Sequence, residues 1–210
     1  MNQGSYGVTP HEVTAAAARH RARAERRPDA WFRTELFEAL DGARARIAEY
    51  VNAPAEDIVF CDNGTHVRSA PPRAPNRPSA DRRAANTPSP ASAAVNAVLR
   101  SLRFEDDAAA CLLMNISYPM TKHAARYAQE VDGRYAVQYV DVPLPSTDAE
   151  IVELVATHLD AHPEVKVVEV SHITSIPALI LPVKAIAREC RRRGVLTLVD
   201  GTTRARRSIT

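Results

Sequence analysis

Several things are scarce in this chain of 210 residues, and each scarcity removes a class of protein. Cysteine occurs three times, at Cys61, Cys111 and Cys190, unspaced for zinc and set inside apolar segments. That usage predicts buried free thiols in a reducing compartment rather than a disulfide framework. Charge of one sign is lacking too: the formal net charge is +2. No global field therefore draws the chain to nucleic acid or an anionic membrane. No apolar run approaches a membrane span, and the start "MNQGSYG" has neither a charged nor an apolar leader region, so a cytoplasmic protein is expected. A glycine-rich dinucleotide fingerprint, a Walker loop and a nucleophile elbow are all missing. Lysine is rare beside arginine and occurs only at Lys122, Lys166 and Lys184.

What is present is an alternation of short apolar runs with helical stretches. Residues 10–27 are rich in Ala and Arg and favour a helix by propensity. Asp29 is placed to cap a second helix, in which Phe32, Leu36, Leu40, Ala43, Ile47 and Val51 form one stripe expected to lie on a core. Ile58 to Cys61 reads as a short buried strand ending in the turn Asn63-Gly64. "ACLLMNISY", "AVQYVDV", "VKVVEVSHI" and "VLTLVDG" read as further strands. Between them lie a helix from Tyr118 and Pro119 to about Val131, and another opened by a capping box of Thr147 and Glu150. A third begins at Pro182 and stops before Gly194. Such alternation predicts an α/β fold with a mostly parallel sheet and helices on both faces.

Residues 65–94 break the pattern. They are rich in Pro, Arg, Ser and Ala with almost no large apolar side chain, which predicts a disordered insertion. The stretch has no aromatic residue for base stacking, so a nucleic-acid tether is disfavoured against a tolerated surface loop.

Ligands of parallel sheets bind beyond the carboxyl ends of the strands, so the polar residues there are the candidates. Asn63, Gly64 and Thr65 form a turn whose N–H groups could cradle a phosphate, or simply a turn. Tyr118 and His172 offer an aromatic face and an imidazole, or strand-end packing. Asp200 follows "LTLV" directly, where a carboxylate asks for a cationic partner. His158 and His162 stand four apart, as metal pairs do, but no third ligand accompanies them, and exposed helix-end residues are the expectation.

Taken together, "NQGSYG", "DIVFCDNGT", "AVNAVLRSL", "LLMNISYP" and "VVEVSHITSIPALILPVKAIARECRRRGVLTLVDGTT" resemble the isopenicillin N epimerase-like branch of the class V aminotransferases, which includes the hercynylcysteine sulfoxide lyases. The resemblance implies a partial fold type I large domain, with pyridoxal 5'-phosphate as cofactor, an amino acid or sulfur-containing derivative as substrate, and a homodimer. It implies Asn63, Gly64 and Thr65 at the cofactor phosphate, Tyr118 beside the ring, His172 near the phenolic oxygen, Asp200 at the pyridine nitrogen and Thr203 nearby. Ser5 and Tyr6 would line the substrate entrance. On this basis residues 1–64 open the large domain, 65–94 interrupt it, 95–203 supply its βαβ units, and 204–210 form an atypical tail.

The sequence departs from the family pattern in two ways. None of the three lysines matches the position of the Schiff-base lysine, and Thr203 stands where a histidine is expected after Asp200. Excising the stretch after Thr65 would restore the run from "DNGT" into "AVNAVLRSL", which suggests translated intron sequence and a longer product. The expectation is an incomplete, inactive portion of an enzyme, with a non-catalytic dimerisation or binding partner as the alternative.

Overall fold

The computed structural model describes residues 8–61 and 90–201. The described residues up to Phe60 fall in one compact unit and those from Cys61 onward in another.

The first unit is helical. Helix α1 spans His11–Arg26, and a second helical run opens at Pro28, passes through a π-helical stretch at Trp31–Glu35 and continues as α2, Leu36–Val51. Asp29 does not cap this run. Proline fixes the backbone for a first helical position, so the helix starts at Pro28 and Asp29 lies inside it, accepting from Arg33 at 2.7 Å. Asn52 ends α2 in the left-handed conformation, a geometry that asparagine tolerates. The expected buried stripe is corrected as well: Trp31 and Ala48 are buried, whereas Phe32, Leu40, Ile47 and Val51 are exposed. Ile58 to Cys61 forms no strand; no described strand pairs with it, and Val59, Phe60 and Cys61 are exposed.

The second unit holds the sheet. It begins with α3, Pro90–Ser101, so the last residues of the expected insertion are helical, while residues 65–89 lie outside the described residues. Next come β1 (Ala110–Met114), α4 (Pro119–Glu130), β2 (Ala136–Val140), α5 (Asp148–Ala161), β3 (Val165–Ser171), α6 (Val183–Arg192) and β4 (Leu196–Asp200). The four strands are all parallel, in the order β2-β1-β3-β4. This is the α/β architecture expected from the alternation of apolar runs and helices.

Alternation along the strands sends side chains to two cores. On one face Leu112, Met114, Val168 and Val170 meet Ile151, Val155 and Leu159 of α5 and Ile186 and Cys190 of α6. On the other, Cys111, Leu113, Val167 and Leu198 meet Val95 and Leu99 of α3 and Ala124, Ala125 and Ala128 of α4. The small alanines let α4 approach the sheet closely. Central strand β1 is fully buried, whereas β4, also an apolar run in the sequence, is an edge strand among the described residues, with Leu196 and Val199 exposed.

The helix ends are specified locally. Thr147 and Glu150 close the expected capping box at α5, satisfying N–H groups that the first turn leaves open. Past α6, Gly194 takes a positive φ of 71°, which frees the chain to turn into β4. Arg193 grips both Asp160, at 2.7 and 2.8 Å, and Glu189, at 2.7 Å, tying the ends of α5 and α6 together.

Candidate functional site

The carboxyl ends of β1, β3 and β4 lie side by side because those strands are neighbours in the sheet. They deliver three of the residues singled out in the sequence. Tyr118 follows β1 and immediately precedes α4, with its side chain exposed. His172 follows β3 and Asp200 ends β4, both partly buried. The His172 backbone N–H donates to the Asp200 carbonyl at 2.8 Å, extending the β3–β4 ladder and fixing the two residues side by side. Asn63, Gly64, Thr65, Thr203, Ser5 and Tyr6 lie outside the described residues.

Beneath this edge is a group that was not among the sequence candidates. Glu169 has no solvent exposure, although it sits in the middle of β3. Its Oε2 accepts from the Ser117 hydroxyl at 2.8 Å, and Ser117 Oγ in turn accepts from the Met114 N–H at 3.1 Å. Glu169 Oε1 and Ser171 Oγ are close enough to interact electrostatically, yet neither makes a hydrogen bond of good geometry. Burial pushes the Glu169 carboxyl up to about 7 and the negative Asp200 adds to the rise, while Ser117, Ser171 and Lys122 oppose it. The available signal was a lone acid inside the apolar run "VKVVEVS".

The lysines are placed apart. Lys122 lies in the first turn of α4 and donates to the Asn115 carbonyl. Lys166 is near the start of β3, at the opposite end of the sheet, where it donates to the Pro163 carbonyl at 2.9 Å. Lys184 lies in the first turn of α6.

His158 and His162 stack with ring centroids 4.4 Å apart. Each is occupied: His158 Nε2 meets Gln138 Oε1 at 2.8 Å and His162 Nδ1 meets Glu164 Oε1 at 2.9 Å. Both are partly buried rather than exposed. Backbone hydrogen bonding, with help from Gln138 and His162, holds the Glu164 carboxyl down at about 2.

No family model matches the chain. Curated relatives do. The chain is 25% identical over 200 residues to a probable chloroplastic L-cysteine desulfhydrase of Arabidopsis thaliana, covering 93% of this chain and 38% of that protein. It is 30% identical over 206 residues to isopenicillin N epimerase of Amycolatopsis lactamdurans, and 19% identical over 202 residues to hercynylcysteine sulfoxide lyase of Schizosaccharomyces pombe, each match covering 96% of this chain and 44% of the relative. The chain thus spans about two fifths of the length of these relatives. Among solved structures, the cystine C–S lyase C-DES in complex with its product cysteine persulfide superposes with a TM-score of 0.73 at 20% identity, over 96% of this chain and 46% of that one. A C-DES mutant with glycine covalently linked to its PLP cofactor gives 0.72 at the same identity and coverage. The chain has the fold of these pyridoxal-phosphate-dependent C-DES structures, and its similarity to cysteine desulfhydrase, hercynylcysteine sulfoxide lyase and isopenicillin N epimerase proteins is consistent with a class V aminotransferase-like chain.

Proposed function

We propose that the chain carries the ring-holding side of a pyridoxal 5'-phosphate site, in an enzyme acting on an amino acid or a sulfur-containing amino acid derivative. The observation that carries this reading is the gathering of Tyr118, His172 and Asp200 at the carboxyl ends of three adjacent parallel strands. An acid, an imidazole and an exposed aromatic ring fit the cofactor's protonated pyridine nitrogen, its phenolic oxygen and its planar face. When bound, the cofactor supplies an electron sink for a substrate carbanion. Asp200 would keep the ring nitrogen protonated by pairing with it, His172 would orient the ring through its phenolic oxygen, and Tyr118 would cover one face. Asn63, Gly64 and Thr65 would receive the phosphate, Thr203 would stand close to the ring, and Ser5 and Tyr6 would face the substrate.

The reaction is drawn from the chemistry named for the relatives, lysis at a carbon–sulfur bond or epimerisation, with transamination added from the family resemblance alone. A cytoplasmic homodimer is the assembly we propose. The 210 residues by themselves are read as catalytically silent, because none of their three lysines matches the Schiff-base position that the family resemblance implies. Lys122 is engaged with the Asn115 carbonyl and Lys166 lies at the other end of the sheet, while Lys184 sits in the first turn of α6, in the stretch that follows β3.

Adding pyridoxal phosphate to the purified chain, following its absorbance, then reducing with borohydride tests both parts. The expected result is reversible binding without a lysine adduct, weakened roughly ten- to a hundredfold by Asp200→Asn. Binding indifferent to Asp200→Asn overturns its assignment to the ring nitrogen. A specific adduct on Lys122, Lys166 or Lys184 overturns catalytic silence, and a dimer that binds no cofactor favours a non-catalytic partner role.

A further inference from the structure

Glu169 is, among the described residues, the acid with no solvent exposure, and the ring-holding role proposed for Asp200 makes no use of it. In register β3 places Ser171 beside Asp200 and Glu169 beside Leu198. Side chains two apart on a strand share a face, so Glu169, Ser171, Leu198 and Asp200 all point to the side covered by α3 and α4. Strand spacing and rise put the Glu169 and Asp200 backbones about 8 Å apart on the diagonal.

The groups that face Glu169 come from every element around it. They are Cys111 from β1, Ser117 from the turn before α4, Lys122 from α4, Ser171 from β3 itself and Asp200 from β4. The Ser117 hydroxyl satisfies one oxygen; the other is buried with the Ser171 hydroxyl near it but outside good hydrogen-bond geometry. A carboxylate so placed keeps a full charge in a poorly solvated site with a like charge nearby, whereas a carboxylic acid does not.

We propose that Glu169 is a proton-carrying positioning residue for Asp200, the neutral neighbour that spares Asp200 a second carboxylate charge beside it on this face of β3 and β4. Loss of that proton adds a second negative charge beneath the same edge. Any cation paired with Asp200, the protonated ring nitrogen included, is then held more tightly. The consequence for the cofactor rests on the function proposed above; the coupling of the two carboxyl groups does not.

The test is a carboxyl titration of the 210-residue chain labelled with carbon-13 at the glutamate side-chain carboxyl, read by NMR without any ligand and assigned with Glu169→Gln. A Glu169 midpoint near 7 is expected. Asp200→Asn removes a like charge and should lower that midpoint by about one pH unit. Lys122→Met removes an opposite charge and should raise it. Opposite signs separate electrostatic coupling from loosened packing. These two variants retain Glu169, so the comparison survives if Glu169→Gln fails to fold. A Glu169 carboxyl already ionised at about pH 5, or a midpoint unmoved by Asp200→Asn, overturns the proposal. Failure to bind pyridoxal phosphate would defeat the proposed function and leave this coupling standing.

Discussion

The Ser117 hydroxyl donates to the fully buried Glu169 carboxyl at 2.8 Å, joining the turn that precedes Tyr118 to the middle of β3. This single donor does not offset desolvation, which raises the Glu169 carboxyl from 4.5 to about 7. Between those values the unfolded chain loses its proton while the folded chain retains it. Stability therefore falls as pH rises from about 4.5 to about 7. The loss is on the order of 2–3 kcal/mol. Glu169→Gln keeps a neutral side chain and a hydrogen-bond acceptor for Ser117, so it should remove this slope. Urea denaturation at about pH 5 and about pH 8 checks it: the variant should gain on the parent at the higher pH.

The Thr147–Glu150 capping box predicts a local cost. Thr147 Oγ1 accepts from the Glu150 N–H at 3.3 Å, and the Glu150 carboxylate accepts from the Thr147 N–H at 2.6 Å. Thr147→Ala should destabilise the chain by about 1 kcal/mol, and Thr147→Ser should restore most of it. The denaturation midpoint should shift without a change in slope.

How far the sequence revealed the molecule depends on what enforced each element. The capping box was legible because its signal lies within four residues. The strands β1 and β3 were legible because both their faces are covered, giving continuous apolar runs. The stretch Ile58 to Cys61 carries a similar apolar signal but has no strand beside it, and pairing is a long-range condition that composition does not encode. β4 is more exposed than its apolar run implies for a related cause: an edge strand of Leu and Val reads like a central one. Asp29 shows a local conflict, since Pro28 takes the first helical position and leaves Asp29 inside the helix, past the place where an aspartate could cap it. At the candidate site, Asp200 and His172 were visible as polar residues ending apolar runs. Glu169 was not, because its importance comes from burial between β1 and β4 and from the turn that brings Ser117 to it.

Leu112 is fully buried at the centre of β1, between α5 and α6 on its own face. Leu112→Ala removes apolar contact and leaves a cavity that strands hydrogen-bonded on both sides cannot close. A cost of roughly 3–5 kcal/mol follows. Phe32→Ser, in the exposed stripe of the first unit, should cost far less. Equal losses from the two variants would show that the stripe is covered in solution.

Arg193 predicts a charge-geometry effect rather than a simple charge effect. Its side chain is only 18% exposed, and the guanidinium makes parallel contacts to both Asp160 oxygens while also holding Glu189. The pairing holds the Asp160 and Glu189 carboxyls below their usual range and raises Arg193. For the two acids the sign is that of a depressed folded-state value, so this contribution is present above the ordinary carboxylate range and is lost as pH falls through it. Lysine carries the same charge but cannot form the two-pronged contact while reaching a second acid. Arg193→Lys should therefore recover little of what Arg193→Ala loses, with both lowering Tm by roughly 2–4 °C near neutral pH. The deficit should shrink at high salt, where the exposed Asp160 is screened, and at about pH 3, where the carboxyls take up protons. A full rescue by lysine near neutral pH would mean that net attraction, and not the fork between α5 and α6, holds the two helix ends together.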